Sequence, residues 1–326
     1  MRTRLTERLS IAHPVVLAPM GTVAGGRLAA AVTAAGGLGL IGGGYGDAEW
    51  LAREFAAAGN ARVGCGLITW SLARAPDLLA EVLRRAPAAI MLSFGSPLPF
   101  APAIKQSGTP FICQVQTLAL AQEAVAAGAD IIVAQGAEAG GHGAARATLT
   151  LVPEIADYLA GAAPQTLLLA AGGIADGRGL AAALMLGADG VLVGSRFWAS
   201  EEAMVPRSFQ AAAVAAHGDD TIRTTVVDVA RKIDWPQPFT ARVLKTAFTM
   251  QWHGREQELV EPVLTREMAR YLKAAGRGDV DNTGVLVGEA VALIRDVRPA
   301  GAILRQMEQE AEALLARKAP SLLDAP

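Results

Sequence analysis

Short apolar runs alternate with longer Ala-rich stretches from residue 15 onward, and Gly, Pro or Asp separates each from the next. Eight of the runs have the length and near-continuous hydrophobicity of buried strands. They are Val15–Ala18, Leu38–Ile41, Val63–Leu67, Ala89–Leu92, Phe111–Val115, Ile131–Ala134, Leu167–Ala170 and Gly190–Val193. A strand covered on both faces is apolar throughout rather than alternating, the mark of a parallel sheet flanked by helices. Eight strand–helix units predict an α/β chain closed into a (β/α)8 TIM barrel, in preference to an open doubly wound sheet. The phrases AGGLG, AAGAD and MLGADG each end a helix with Gly just before the next strand, as one reused supersecondary unit would.

The pattern changes after Trp198. Residues 201–280 carry more charge and a Trp235-Pro236-Gln237-Pro238 kink, which predicts a mainly helical insertion or lid following the eighth strand. Residues 283–317 predict two further helices. The second is Pro299–Arg317, with Ile303, Leu304, Met307, Ala311 and Leu314 at helical spacing. The expected division is a barrel formed by 1–200 and 281–326 with the lid, 201–280, over a substrate site. Lys318–Pro326 is expected to be a loose end.

Composition narrows the class. The 326 residues are 52% hydrophobic and 18% charged, which argues for a large core and against disorder. The net charge of −2 and the lack of a long basic run exclude a nucleic-acid footprint. The two cysteines, Cys65 and Cys113, fall in separate strands and fit buried thiols better than a disulfide framework. With no charged-then-apolar leader and no apolar run suited to a membrane helix, the expected compartment is the cytoplasm. Apolar outer helices leave open whether they pack within one chain or pair two copies as a homodimer.

Candidate chemistry concentrates in Gln135-Gly136-Ala137-Glu138-Ala139-Gly140-Gly141-His142-Gly143, directly after the sixth strand. Glycines here let the backbone approach a ligand where a side chain would block it. In a barrel of this kind the active site lies at the C-terminal ends of the strands, with phosphate at the last two. Glycine turns stand at both places: Ala171-Gly172-Gly173-Ile174, followed by Asp176 as a helix cap, and Gly194-Ser195-Arg196. Backbone amides there, with the Ser195 hydroxyl, suit a phosphate group. Gln114 and Gln135 end otherwise apolar strands, and a buried amide needs partners. A polar ring edge or a ribityl chain would supply them. Pro19 and Met20 end the first strand, where they suit packing against a flat ring.

His142 is the candidate catalytic residue, since imidazole exchanges a proton near neutral pH. Glu138 reads as a loop-orienting residue. His13 is expected to be structural, and His217 and His253 to lie on the surface of the insertion. No His or Cys pair has metal-ligand spacing, so no metal is expected. A G-x-S-x-G elbow is absent, and so is a dinucleotide fingerprint with its downstream acid.

Together these stretches resemble the nitronate monooxygenase family, once called 2-nitropropane dioxygenases. The likeness runs through APM and AAAVTAAGGLGLIGGG, then QGAEAGGHG, AAGGIADGRGLAAALMLGADGVLVGSRF and GEAVALIRDVRPAGAIL. It implies a barrel holding FMN non-covalently, with Met20, Gly66, Gln114, Gln135, Gly140 and Gly141 along the flavin. Gly172, Gly173, Gly194 and Ser195 would hold the phosphate; Pro19, Leu192 and Val193 complete the implied set. His142 matches the family's catalytic histidine. The implied reaction oxidises alkyl nitronates with O2 to carbonyl compounds and nitrite. Related flavoproteins imply an alternative, an NAD(P)H-dependent reductase of quinones or of an enoyl-acyl-carrier-protein thioester. An acidic carrier would need a basic patch, which Arg207, Arg223, Arg231, Lys232, Arg242 and Lys245 could form. The chain departs from the pattern at His142-Gly143-Ala144, at Ser93-Phe94-Gly95 where many members carry another histidine, and at Gly66 where a polar side chain is common.

Overall fold

A computed structural model describes residues 1–318, so the expected loose end lies, from residue 319, outside the described residues. The strands are β1 (Val15–Leu17), β2 (Leu40–Gly42), β3 (Gly64–Ile68), β4 (Ile90–Ser93), β5 (Phe111–Val115) and β6 (Ile131–Gln135). After a short β7 (Gly141–Gly143) come β8 (Leu167–Ala171), β9 (Gly190–Val193), β10 (Thr221–Thr224) and β11 (Thr240–Leu244). Eight form one parallel sheet in the order β1-β9-β8-β6-β5-β4-β3-β2. It closes between its ends: the Leu17 amide donates to Leu38 O at 2.9 Å, and the Leu38 amide to Val15 O at 3.1 Å. All eight expected strands are present, and the chain is a (β/α)8 barrel.

Alternate residues of each strand face opposite sides of the barrel wall. Val16, Met91, Ile112, Ile131, Val133, Leu167, Leu169 and Leu192 fill the interior. Val15, Leu17, Ile90, Leu92, Cys113, Val191 and Val193 face the surrounding helices. Leu5 and Leu9, on the opening helix Arg4–Leu9, join the interior cluster. Leu5 lies against the start of β9, where a Cβ on Gly190 would come within 2.6 Å of it, so this helix plugs the N-terminal end. Each fully buried Leu of this kind contributes roughly 1.5–3 kcal/mol. Cys65 and Cys113 are free and buried, and burial pushes both thiols up.

Two segments depart from expectation. Within 201–280 the helices Arg207–Ala215, Ala247–Trp252 and Val263–Arg277 are accompanied by β10 and β11, an antiparallel pair that the helical reading did not contain. β11 continues onto β7, with Ala241 opposite His142, so the insertion is joined to the glycine loop by a three-stranded sheet. Of the two helices expected over 283–317, the first is only a 3-10 turn, Glu289–Leu293. The backbone before it packs too closely for a helix: a Cβ on Gly288 would sit 2.5 Å from Glu138 O. The second runs Ala300–Ala313 and ends in a π turn, with Ile303, Leu304, Met307 and Ala311 buried as the spacing predicts.

Candidate active site

A cavity of about 770 Å³ opens at the C-terminal ends of the barrel strands. Pro19 and Met20 line it after β1, Gly66 within β3, and Gln114 and Gln135 at the ends of β5 and β6. Gly140, Gly141 and His142 line it from the loop. Gly172 and Gly173 follow β8, and Leu192, Gly194 and Ser195 complete that side. Val193 is the exception. Strand alternation turns Leu192 inward and Val193 outward, where it is 1% exposed in the helix-facing core.

The glycine positions have separate physical reasons. A Cβ on Gly66 would come within 2.2 Å of Pro19 Cγ, so a bare backbone lets the Pro19 ring lie against β3. A Cβ on Gly140 would sit 2.5 Å from Gly288 N. Gly141, Gly172 and Gly173 have φ of +70°, +105° and +74°, a region that favours glycine.

The loop bearing His142 is tied down along its length. The Glu138 carboxylate accepts from Thr148 N at 3.0 Å and from Thr148 Oγ1 at 2.8 Å, capping helix Thr148–Ala162 from outside. Arg223 Nε and Arg242 Nε both donate to Ala137 O, at 3.1 and 2.9 Å. Burial, with Arg242 close by, pushes the Arg223 guanidinium down to about 10. Gln135 Nε2 donates to His142 O at 3.0 Å, while its Oε1 accepts from Gln114 at 3.2 Å and Gln116 at 2.8 Å. The glutamines thus have partners inside the protein, and Gln135 acts on the His142 loop directly.

His142 is 9% exposed. Its Nε2 lies 3.0 Å from both carboxylate oxygens of Asp228, which is 3% exposed. Arg231 Nη2 donates to Asp228 Oδ1 at 2.9 Å. The Trp235 ring stacks on the imidazole at 3.4 Å between centroids and 8° between planes. Phe94, with φ +65°, presents an edge towards both rings, and Trp235 Nε1 donates to Tyr45 Oη at 3.0 Å. Burial holds His142 below the usual imidazole range, with the Arg231 and Arg223 charges acting in the same sense and Asp228 opposing them. A neutral imidazole that donates Nε2–H to a carboxylate leaves Nδ1 bare. Nδ1 has no hydrogen-bond partner among the described residues, while its ring lines the cavity.

Asp228, Arg231, Trp235, Tyr45, Phe94 and Gln116 join the site without having been singled out for it in the sequence. The one local signal was a lone acid in the apolar run Val226-Val227-Asp228-Val229. Of the six residues that could have formed a basic patch, Arg223, Arg231 and Arg242 are half-buried and turned to the loop and cavity. Only Arg207, Lys232 and Lys245 are exposed. His217 and His253 are exposed as expected. No group of acidic, Cys and His side chains among the described residues could hold a metal, and no described helix is long and apolar enough to cross a membrane.

The chain is similar to known proteins over nearly its whole length. The chain is 35% identical to a nitronate monooxygenase, npaC, of Metarhizium robertsii, over 92% of this chain and 91% of that protein. It is 32% identical to a nitronate monooxygenase of Neurospora crassa, over 92% and 89% of the two chains. In three dimensions it superposes on FabK of Thermotoga maritima with a TM-score of 0.86 and 30% identity, covering 98% and 99%. The sequence profile of the nitronate monooxygenases matches residues 2–61 and 75–310, nearly the whole barrel and insertion, and the chain belongs to that flavin-dependent family.

Proposed function

We propose that the protein binds FMN in this cavity and oxidises alkyl nitronates with O2 to carbonyl compounds and nitrite. The observation that carries the reading is the buried, carboxylate-oriented His142 on the wall of a cavity bounded by bare glycine turns. The turns suit the phosphate end of FMN. Gly172 and Gly173 expose backbone in the left-handed region, and a Cβ on Gly172 would lie 2.9 Å from Thr148 Oγ1. Ser195 Oγ accepts from Gly288 N at 2.9 Å, which leaves its own proton for an anion. The amides of the first turn of Ser195–Trp198 have no intrahelical acceptors.

When bound, the flavin supplies the electron acceptor for the nitronate and the donor for oxygen. The protein's part is placement and proton control. Asp228 keeps the His142 proton on Nε2, and burial keeps the ring neutral, so Nδ1 can take the α-proton of a neutral nitroalkane. Trp235 stacked on one face fixes the ring's plane, and Phe94 and Trp235 exclude water beside it. The inward turn of the insertion's arginines favours a small substrate over a docked acidic carrier. The test is nitrite release and oxygen uptake by the FMN-loaded protein given propane-2-nitronate. Nitrite release accompanied by oxygen uptake is expected, and absence of both with full flavin occupancy overturns the reading.

A further inference from the structure

Arg231 is the one Lys or Arg among the residues lining the cavity. Its Nε donates to Val227 O at 2.8 Å and one Nη2 proton goes to Asp228. Among the described residues the other three N–H groups of the guanidinium have one neighbouring acceptor, the Tyr45 oxygen. Tyr45 stands beside it: burial pushes the phenol up, and the Arg231 charge works against that push. Because the Tyr45 oxygen accepts from Trp235 Nε1, its own proton is available for donation.

Of the other ionisable groups lining the cavity, Glu138 is bound to Thr148 and Asp47 accepts from Trp50 N as a helix cap. Asp228 is not itself among the lining residues, lying behind His142 and Arg231. The cavity wall therefore offers a planar fork of donors and a phenol proton in the same cavity that His142 lines. A guanidinium fork matches a planar group with two oxygens and a shared negative charge.

We infer that Arg231, assisted by Tyr45, is the specificity residue that receives the two-oxygen anionic group of the substrate, selecting planar anions over neutral molecules of the same shape. This rests on the nitronate reading for its biological substrate, but the binding site itself is testable apart from turnover. Isobutyrate carries the planar two-oxygen group and charge of propane-2-nitronate on the same two-methyl body and has no reactive α-carbanion; isobutyramide is of matching size without the charge.

The experiment measures dissociation constants of both by calorimetry on the FMN-loaded protein, for the native chain, Arg231→Lys and Arg231→Gln. In the native protein isobutyrate should bind at least about tenfold tighter than isobutyramide, from hydrogen bonds to a charged group. Arg231→Gln should remove that preference, Arg231→Lys should keep part of it, and KM for propane-2-nitronate should rise by a similar factor in each. Equal binding of the two probes by the native protein overturns the inference, with no variant required. Loss of FMN from Arg231→Gln together with an unchanged probe preference in Arg231→Lys also overturns it, by assigning the guanidinium to the cofactor. Arg231-dependent isobutyrate binding without nitronate turnover would support the anion site while refuting the proposed reaction. Nitronate turnover with unchanged KM in both variants would do the reverse.

Discussion

Asp228→Asn is the substitution that separates the two halves of the mechanism. The side chain keeps its size, so packing around a residue 3% exposed is preserved. Arg231 Nη2 donates to Oδ1 at 2.9 Å and would hold the amide oxygen there. The new NH2 then occupies the Oδ2 position, 3.0 Å from His142 Nε2, and donates to it in competition with the Nε2–H bond to the retained oxygen, which is also 3.0 Å away. Where the NH2 donates, the imidazole proton moves to Nδ1, and that nitrogen can no longer act as a base. A positioned general base contributes about 10²–10⁴-fold, or ~3–5 kcal/mol of barrier. Turnover of neutral 2-nitropropane should fall by that factor. Propane-2-nitronate has already lost its proton, so its kcat/KM should fall by less than about tenfold, ~1.4 kcal/mol. The assay is nitrite release from each substrate, supplied freshly equilibrated at its own protonation state, with FMN content measured in parallel. Equal losses on both substrates, or full activity on 2-nitropropane, would refute the base role of the pair.

The same imidazole sets a pH limb. Burial lowers its proton affinity, so kcat/KM for 2-nitropropane should hold as pH falls past about 6.5 and decline only through a lower value; a half-maximum at or above 6.5 would contradict this. Gly66→Ala would place a Cβ 2.2 Å from Pro19 Cγ. Overpacking of this kind costs about 1–3 kcal/mol, so the urea midpoint should drop, and an unchanged midpoint would show that the Pro19 contact gives way freely. Replacing His142 by Asn should reduce turnover of 2-nitropropane far more than FMN content, and undiminished turnover would remove His142 from the mechanism.

The barrel was legible because its strands are apolar on both faces and short enough to be told from helices by length. The site was legible where it depends on the backbone: glycine turns after β8 and β9, and the glycines beside His142, are local signals. What escaped depends on residues brought together across the chain. Asp228 lies 86 positions from His142, and Trp235 reads as part of a proline-rich kink until it is seen stacked on the imidazole. β10 and β11 escaped for the same reason. They are separated by residues 225–239 rather than a tight turn, and β11 finds its other neighbour in the glycine loop. Val193 shows the opposite error, since strand alternation alone sends it away from the residue before it. The arginines of the insertion looked like a surface patch because charge in a sequence carries no direction. Three of them turn inward to backbone carbonyls, to Asp228 and to the cavity.

The central claim is that this cavity delivers nitronate, and not a reduced nicotinamide, to a bound flavin. The most direct test follows the flavin absorbance of the purified protein anaerobically, after adding propane-2-nitronate or, separately, NADH and NADPH. The account predicts loss of the oxidised-flavin band with the nitronate and none with either nicotinamide. Rapid bleaching by NADH or NADPH, with no response to nitronate, would contradict it.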